Sequence, residues 1–354
     1  MHANDVGSYW DLMRDTVLPF FDRHDQGVML GRGGVSVRNI HLPPDASKRN
    51  DHSCTLVFVP GRTESFFKYA ETFYDLAQHG HEIFAMDHRG QGFSERLLAD
   101  PQIGYVQDFR DYEVDLVSFL TTVVAAKKSF NRVFIVAHSM GAAISIKMIL
   151  DAQQGRAGSD LIRFLGEFSG LILSAPMLAI RLGFGQWATE MVLGARCLLG
   201  KGKSYATTPG QFDAATYGTD LTHSMPRLSW YRAALAERPE LQLGMPSNQW
   251  MLEAIRFCAA LRTELEEHPL ACPVLLLSPG RDTVVEVEAQ RLISQSFGGK
   301  VLERINLPQS AHDPFIEVDE VRNLVLQSIE QFVALAASAN NAVGAAPPAG
   351  ASAL

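Results

Sequence analysis

The sequence predicts an α/β protein with a mostly parallel central sheet, helices on both faces and an inserted helical cap. Three observations carry this expectation. Short apolar runs such as Cys54-Thr55-Leu56-Val57-Phe58-Val59 have no polar alternation, as strands buried on both faces do. They alternate with stretches of helical period, which implies right-handed crossovers. From residue 177 to 265 the strand runs stop, and the stretch is rich in Met, Leu, Tyr and Trp.

In chain order, residues 9–21 have apolar spacing near a helical period. Gly27 to Gly34 is Gly-rich, yet no phosphate-loop context follows it; a hairpin is the expectation. Residues 35–42 alternate as a half-exposed strand does. The run at 54–59 ends in Pro60-Gly61-Arg62-Thr63-Glu64-Ser65, and a helix is expected over 66–80. The strand at 81–86 ends in Asp87-His88-Arg89-Gly90-Gln91-Gly92-Phe93-Ser94, and a helix follows over 109–129. Val133 to Ala137 is the next strand and 170–175 another, stopped by Pro176. After the insertion come a strand at 273–278, a helix near 287–297, a strand at 301–307 and a helix over 319–336. The expected division is core over 1–176, cap over 177–265, core again over 266–337, and a tail over 338–354. The tail is almost wholly Ala, Asn, Gly, Pro and Ser and is expected to be disordered.

The chain has 354 residues, 47% hydrophobic and 20% charged, which suits one large domain with an inserted subdomain. A net charge of −8 offers no basic field for a nucleic-acid backbone. No stretch reaches the roughly 18 apolar residues of a membrane span. The first residues carry no basic segment followed by an apolar one. Cys54, Cys197, Cys258 and Cys272 are scattered, with no zinc-like or thioredoxin-like spacing. Reduced thiols in a cytoplasmic protein are the expectation, with no cofactor and no metal. The sequence assigns no oligomeric state.

Chemistry enters at Ala137-His138-Ser139-Met140-Gly141, where a buried strand runs into a helix. A sharp strand-to-helix turn lifts a serine hydroxyl clear of the sheet and aims helix-start N–H groups at a developing oxyanion. The usual pattern is Gly-x-Ser-x-Gly; here Ala137 replaces the first glycine. A serine needs a base, and the base needs an orienting acid. Asp282 follows the strand at 273–278, and His312 follows the strand at 301–307. Three residue types, in the order Ser, Asp, His and each just after a strand, make a triad expectation of Ser139, Asp282 and His312. The oxyanion donors are the backbone N–H of Met140 and, from the loop after the first buried strand, of Arg62. Arg62 and Glu64 can line the pocket or pair with each other. Asp87 to Ser94 is read as structural, with Arg89 tying loops together. His138 is read as structural and pointing away from Ser139. Asp313 is a weaker acid than Asp282, because an adjacent side chain rarely turns back to its neighbour's ring.

With these motifs assembled, the chain resembles the α/β-hydrolases, and within them the bacterial lysophospholipase and monoacylglycerol lipase group. Leu221-Thr222-His223-Ser224, Trp250 and the run Arg96 to Pro101 are similar to the lysophospholipase branch. Pro60 stands where many relatives have histidine. The resemblance implies a serine esterase acting on single-chain lipid esters, lysophospholipid or monoacylglycerol, through an acyl-enzyme on Ser139.

The cap bears on the substrate. Between 181 and 203 it carries Phe184, Trp187, Met191, Val192, Leu193, Leu198 and Leu199, with Arg181, Arg196, Lys201 and Lys203 against Glu190. Such a segment either packs onto the core or forms a lid that binds an acyl chain and rests on a lipid surface. Peripheral contact with the inner membrane is the corresponding expectation. The alternatives are a short-chain carboxylesterase, a prolyl-aminopeptidase-like hydrolase anchoring an amine on Glu237, Glu240 or Glu253, and a non-catalytic binding protein.

Overall fold

A computed structural model of the chain describes residues 5–24, 26–183, 185–295 and 302–344. Among these, β1 (Gln26–Leu30), β2 (Ser36–Leu42), β3 (Thr55–Val59), β4 (Glu82–Met86), β5 (Val133–His138), β6 (Phe168–Ser174), β7 (Val274–Pro279) and β8 (Leu302–Leu307) form one sheet. Its order is β1-β2-β4-β3-β5-β6-β7-β8. The β1–β2 and β2–β4 pairs are antiparallel, and every pair from β4 to β8 is parallel. The Gly-rich stretch after Leu30 is the turn of the β1–β2 hairpin, with Gly33 at φ 74°.

Helices α1 (Val6–Leu12) and α2 (Leu18–Phe21), joined by the π-helical turn Met13–Val17, precede the sheet. α3 (Ala70–Gln78) links β3 to β4, while α4 (Arg110–Ser118) and α5 (Ala125–Lys127) lead into β5. α6 (Ser139–Gln153) and α7 (Ser159–Leu165) link β5 to β6. α8 (Gln186–Arg196), α9 (Met225–Glu237) and α10 (Asn248–Glu267) fill the long connection from β6 to β7. α11 (Arg291–Gln295) precedes β8 and α12 (Asp319–Gly344) follows it.

The continuous apolar strands are explained by burial on both faces. Val57, Val59, Ile135, Ala137, Leu171, Leu173 and Leu276 share one core with residues of α4, α6, α7 and α10. Their neighbours Leu56, Phe58, Phe134, Val136, Ile172, Leu275 and Leu277 point the other way, into a core with α1, α3, α9 and α12. Fully burying such a side chain contributes about 1.5–3 kcal/mol, so any one-residue register slip is strongly opposed.

The β6–β7 connection does more than cover one edge. α10 carries Trp250, Ala254, Cys258 and Leu261 into the sheet core. α9 packs at the opposite side, its Trp230 stacked on Phe67 with centroids 5.6 Å apart. α8 rests on α10 through Leu193, Leu252 and Ile255.

One detail differs from the sequence expectation. The last helix runs on to Gly344, past residue 338, because its Ala-rich end keeps helix propensity. The rest of the expected tail, 345–354, lies outside the described residues, as do Phe184, Phe297 and Val301. The four cysteines are free thiols. Among the described residues no helix is long and apolar enough to cross a membrane.

Candidate active site

Ser139 sits where β5 passes into α6, with φ 51° in the left-handed region. A non-glycine residue there is strained by about 1–3 kcal/mol and persists only when its surroundings hold it. Gly141 supplies part of that hold: a Cβ on it would lie 2.3 Å from the Val59 carbonyl and 2.5 Å from that of Pro60. The helix start is thereby pressed against the end of β3. The Met177 N–H donates to the Ser139 carbonyl at 3.0 Å, fixing the turn from the other side.

The loops after β7 and β8 converge on the hydroxyl. They are zipped together, with the Gly280 N–H donating to Leu307 O at 2.8 Å and Arg281 N–H to Ser310 O at 2.9 Å. A Cβ on Gly280 would come 2.7 Å from Pro308 Cα, so no larger residue fits between the loops. His312 Nε2 lies 3.0 Å from Ser139 Oγ, and His312 Nδ1 lies 2.7 Å from Asp282 Oδ2. The other Asp282 oxygen accepts the N–H groups of Val284 and Val285 at 2.8 and 3.0 Å. Burial raises the Asp282 pKa, but the His312 hydrogen bond and charge and these two N–H groups outweigh it and hold the carboxyl below its ordinary range. All three side chains are buried. A serine, an imidazole and an ionised carboxylate in this chain of contacts have the arrangement that a proton relay for nucleophilic attack requires.

The loop after β3, with Gly61 and Arg62, reaches the same place. An ideal Cβ on Gly61 would stand 3.1 Å from Ser139 Cβ, which measures how closely this loop crosses the serine. Neither the Arg62 N–H nor the Met140 N–H, in the first turn of α6, has a recorded acceptor among the described residues. Thr63 follows at φ 62°. The loop is braced by the Asp87–Ser94 segment: Gln91 Nε2 donates to the carbonyls of Gly61 (2.7 Å) and Glu64 (3.0 Å). His88 Nε2 donates to the Pro60 carbonyl at 3.0 Å. Asp87 accepts from Ser65 Oγ and the Phe66 and Phe93 N–H groups, and burial pushes its carboxyl up to about 7. Arg89 grips Asp115 at 2.6 and 2.7 Å.

Behind the relay lies a network that sequence reasoning missed. Glu64 does not pair with Arg62. It pairs with Lys68 at 2.6 Å, and the same ammonium lies 2.6 Å from Asp313. Tyr69 Oη donates to Glu64 at 2.6 Å. Burial raises both carboxyls, but Lys68 outweighs it and holds both below their ordinary range. Their charges in turn hold the Lys68 ammonium above its ordinary range despite burial. His138 tucks into this cluster, its ring 4.8 Å from that of His312, and burial lowers its pKa. Ligand atoms of Glu64, His138 and Asp313 come within 4.8 Å of one another, the kind of group that holds a metal. Here the ammonium of Lys68 already supplies the cation. The i, i+4 spacing of Glu64 and Lys68 is visible in the sequence, but the third member, Asp313, is not.

The cap connection also touches the base. The Asp313 N–H donates to Leu221 O at 2.9 Å. Glu317, fully buried, accepts from the Ala311 N–H at 2.7 Å and lies 2.7 Å from His223 Nδ1. Leu221 to Ser224 therefore clamps the loop that carries His312.

In front of Ser139 is a cavity of about 210 Å³ lined by Met177, Ile180, Leu221, Met245, Trp250 and Val285, among others. Arg62, Thr63 and Glu64 are its further polar walls. None of Glu237, Glu240 and Glu253 lines it.

Residues 50–319 match the family model described as serine aminopeptidase, S33. Lysophospholipase L2 of Escherichia coli K12 is 30% identical over 320 residues, covering 88% of each chain. A probable lysophospholipase L2 of Haemophilus influenzae is 27% identical, covering 90% of this chain and 94% of that one. In fold, the chain is similar to a monoglyceride lipase of Saccharomyces cerevisiae (TM-score 0.66, 17% identity, 88% of this chain and 96% of that one). A Bacillus coagulans carboxyl esterase matches equally well in fold (TM-score 0.66, 17% identity, 89% and 99%). The chain belongs to the serine aminopeptidase S33 family of α/β-hydrolases.

Proposed function

We propose that this protein hydrolyses carboxylic esters of single-chain lipids, lysophospholipids or monoacylglycerols, through an acyl-enzyme on Ser139. The observation that carries the reading is the contact chain Ser139–His312–Asp282 opening on an apolar cavity. The relatives' names point to the same substrate class.

His312 Nε2 takes the Ser139 proton as the oxygen attacks the ester carbonyl. The N–H groups of Met140 and Arg62 receive the tetrahedral oxyanion. The protonated His312 gives its proton to the leaving alcohol, and Asp282 holds the ring's tautomer and stabilises its positive charge without itself being protonated. Water then enters, His312 takes its proton, and the acyl chain leaves as a carboxylic acid.

An aminopeptidase reading has less support, despite the family's description. Binding a free amine requires an unpaired carboxylate. Among the described residues lining the cavity, Glu64 is the one acid. Its oxygens are taken by Lys68, Tyr69 and the Gly61 N–H.

Residues 177–265 act as the cap, and α8 is its lipid-facing part. Leu193 packs inward, whereas Trp187, Met191, Val192, Leu198 and Leu199 stand exposed, Leu198 at 91%. Arg196, Lys201 and Lys203 flank this apolar face, a composition that suits an anionic bilayer surface. This reading makes the protein peripheral at the cytoplasmic face of the inner membrane.

The test measures fatty-acid or nitrophenol release from lysophosphatidylcholine, monoacylglycerol and a short nitrophenyl ester by the wild type and Ser139→Ala. Release of long-chain fatty acid that depends on Ser139 is the expected result. Release from the short ester alone retains the relay and removes the lipid assignment.

A further inference from the structure

Among the described residues, the triad and the buried network account for the carboxylates around Ser139 and leave the guanidinium of Arg62 without a counter-charge. Arg62 lines the substrate cavity. Its Nη2 donates to the Gly244 carbonyl at 2.6 Å, and its guanidinium lies over the Trp250 ring at 5.1 Å. Nε is buried with no hydrogen-bond partner, and Nη1 has no recorded partner among the described residues. Among the described residues no carboxylate forms an ion pair with it, because Glu64, the acid two residues on, is held by Lys68. Burial pulls the guanidinium down to about 10, with no nearby acid to restore it. An unpaired guanidinium is costly to hold in an apolar cavity, and a ligand anion is what would relieve that cost.

We propose that the Arg62 guanidinium is the binding subsite for the phosphate of the substrate's head group, so that the site prefers phosphorylated single-chain glycerol lipids to neutral monoacylglycerols. The inference rests on the lipid-esterase reading above and deepens it. The stereochemistry is commensurate. As many covalent bonds separate the Arg62 amide nitrogen from its guanidinium carbon as separate the carbonyl carbon from the phosphorus in a glycerol phosphate acylated at its far end. One residue therefore offers its backbone N–H to the oxyanion and its side chain to the phosphate of the same molecule. A planar guanidinium suits phosphate oxygens. The stack on Trp250 and the bond to Gly244 fix its plane before the lipid enters. Choline or another positively charged head-group terminus plays no part in this contact.

The test compares kcat/KM of the wild type, Arg62→Gln and Arg62→Lys on three lipids with one acyl chain: monoacylglycerol, acylglycerol phosphate and lysophosphatidylcholine. In Arg62→Gln, both phosphorylated lipids should lose about 10- to 100-fold more than monoacylglycerol, the range of one charge-assisted contact. Arg62→Lys should recover much of that difference. Equal losses on all three lipids would overturn the proposal and leave Arg62 a backbone role alone, as would no loss. A loss confined to lysophosphatidylcholine overturns it too, since phosphate is the shared group. Millimolar inorganic phosphate should leave the wild-type rate unchanged. Competitive inhibition that Arg62→Gln abolishes would reassign the subsite to a free anion. Failure of the underlying reading looks different: no lipid is cleaved in a Ser139-dependent way.

Discussion

Lys68→Met removes the cation that Glu64 and Asp313 share and keeps the side chain's length. The ammonium is 2.6 Å from each carboxylate, with side-chain exposures of 1% for Lys68, 3% for Glu64 and 0% for Asp313. Each contact is worth about 6 kcal/mol at an effective dielectric near 20, set against several kcal/mol for desolvating each ion. The net cost of removing one partner of such a buried group is about 3–5 kcal/mol, a large part of a domain's total stability of about 5–15 kcal/mol. The pH dependence separates this cause from lost packing. In the wild type both carboxyls sit below their ordinary range, so their contribution is fully present above the unfolded pKa and is lost only as pH falls below it. In Lys68→Met the two unneutralised carboxylates are pushed above the unfolded value. The folded variant then binds protons as pH falls and regains stability. Urea unfolding should show the full deficit at about pH 8 and a smaller one at about pH 5. A deficit under about 1 kcal/mol, or one equal at both pH values, would refute the reasoning.

Further outcomes are expected elsewhere. Asp282→Asn leaves His312 in the wrong tautomer, and kcat should fall about 10⁴-fold in ester hydrolysis with the fold unchanged by circular dichroism. Gly141→Ala forces a methyl to within 2.3 Å of the Val59 carbonyl; a stability loss of about 1–3 kcal/mol in thermal unfolding is expected, with reduced acylation of Ser139 by a fluorophosphonate. Leu198→Ser with Leu199→Ser exchanges two exposed apolar side chains; sedimentation with anionic vesicles should weaken severalfold while cleavage of a short nitrophenyl ester stays at its wild-type rate.

The buried strands were legible because period and composition alone mark a segment covered on both faces, and Val57 and Ile135 meet in register as that implies. The meeting of Ser139, Asp282 and His312 was legible because each lies on the loop or turn after a strand, and strand ends of a parallel sheet converge at one edge. The partnership of Glu64 was not. The i, i+4 spacing offers Lys68 as a partner, but the pairing is completed by Asp313, 249 residues away along the chain, entering beside Lys68. The ring of His138 was expected to point away from the serine. It is not among the residues lining the cavity, but its ring lies beside that of His312, with centroids 4.8 Å apart. The two characters of α8 needed burial to separate: Leu193 and Val192 are neighbours of equal hydropathic appeal, and only the position of α10 decides which is covered.

The backbone bond from Asp313 to Leu221 ties the helical connection between β6 and β7 to the loop that carries His312. Grafting a foreign cap onto this sheet would succeed only if the graft ends short of residue 220, since exchanging the segment through 224 releases the loop that aims the imidazole. Leu221 also lines the cavity in front of Ser139, so one residue of the connection both shapes that cavity and holds the loop that carries His312.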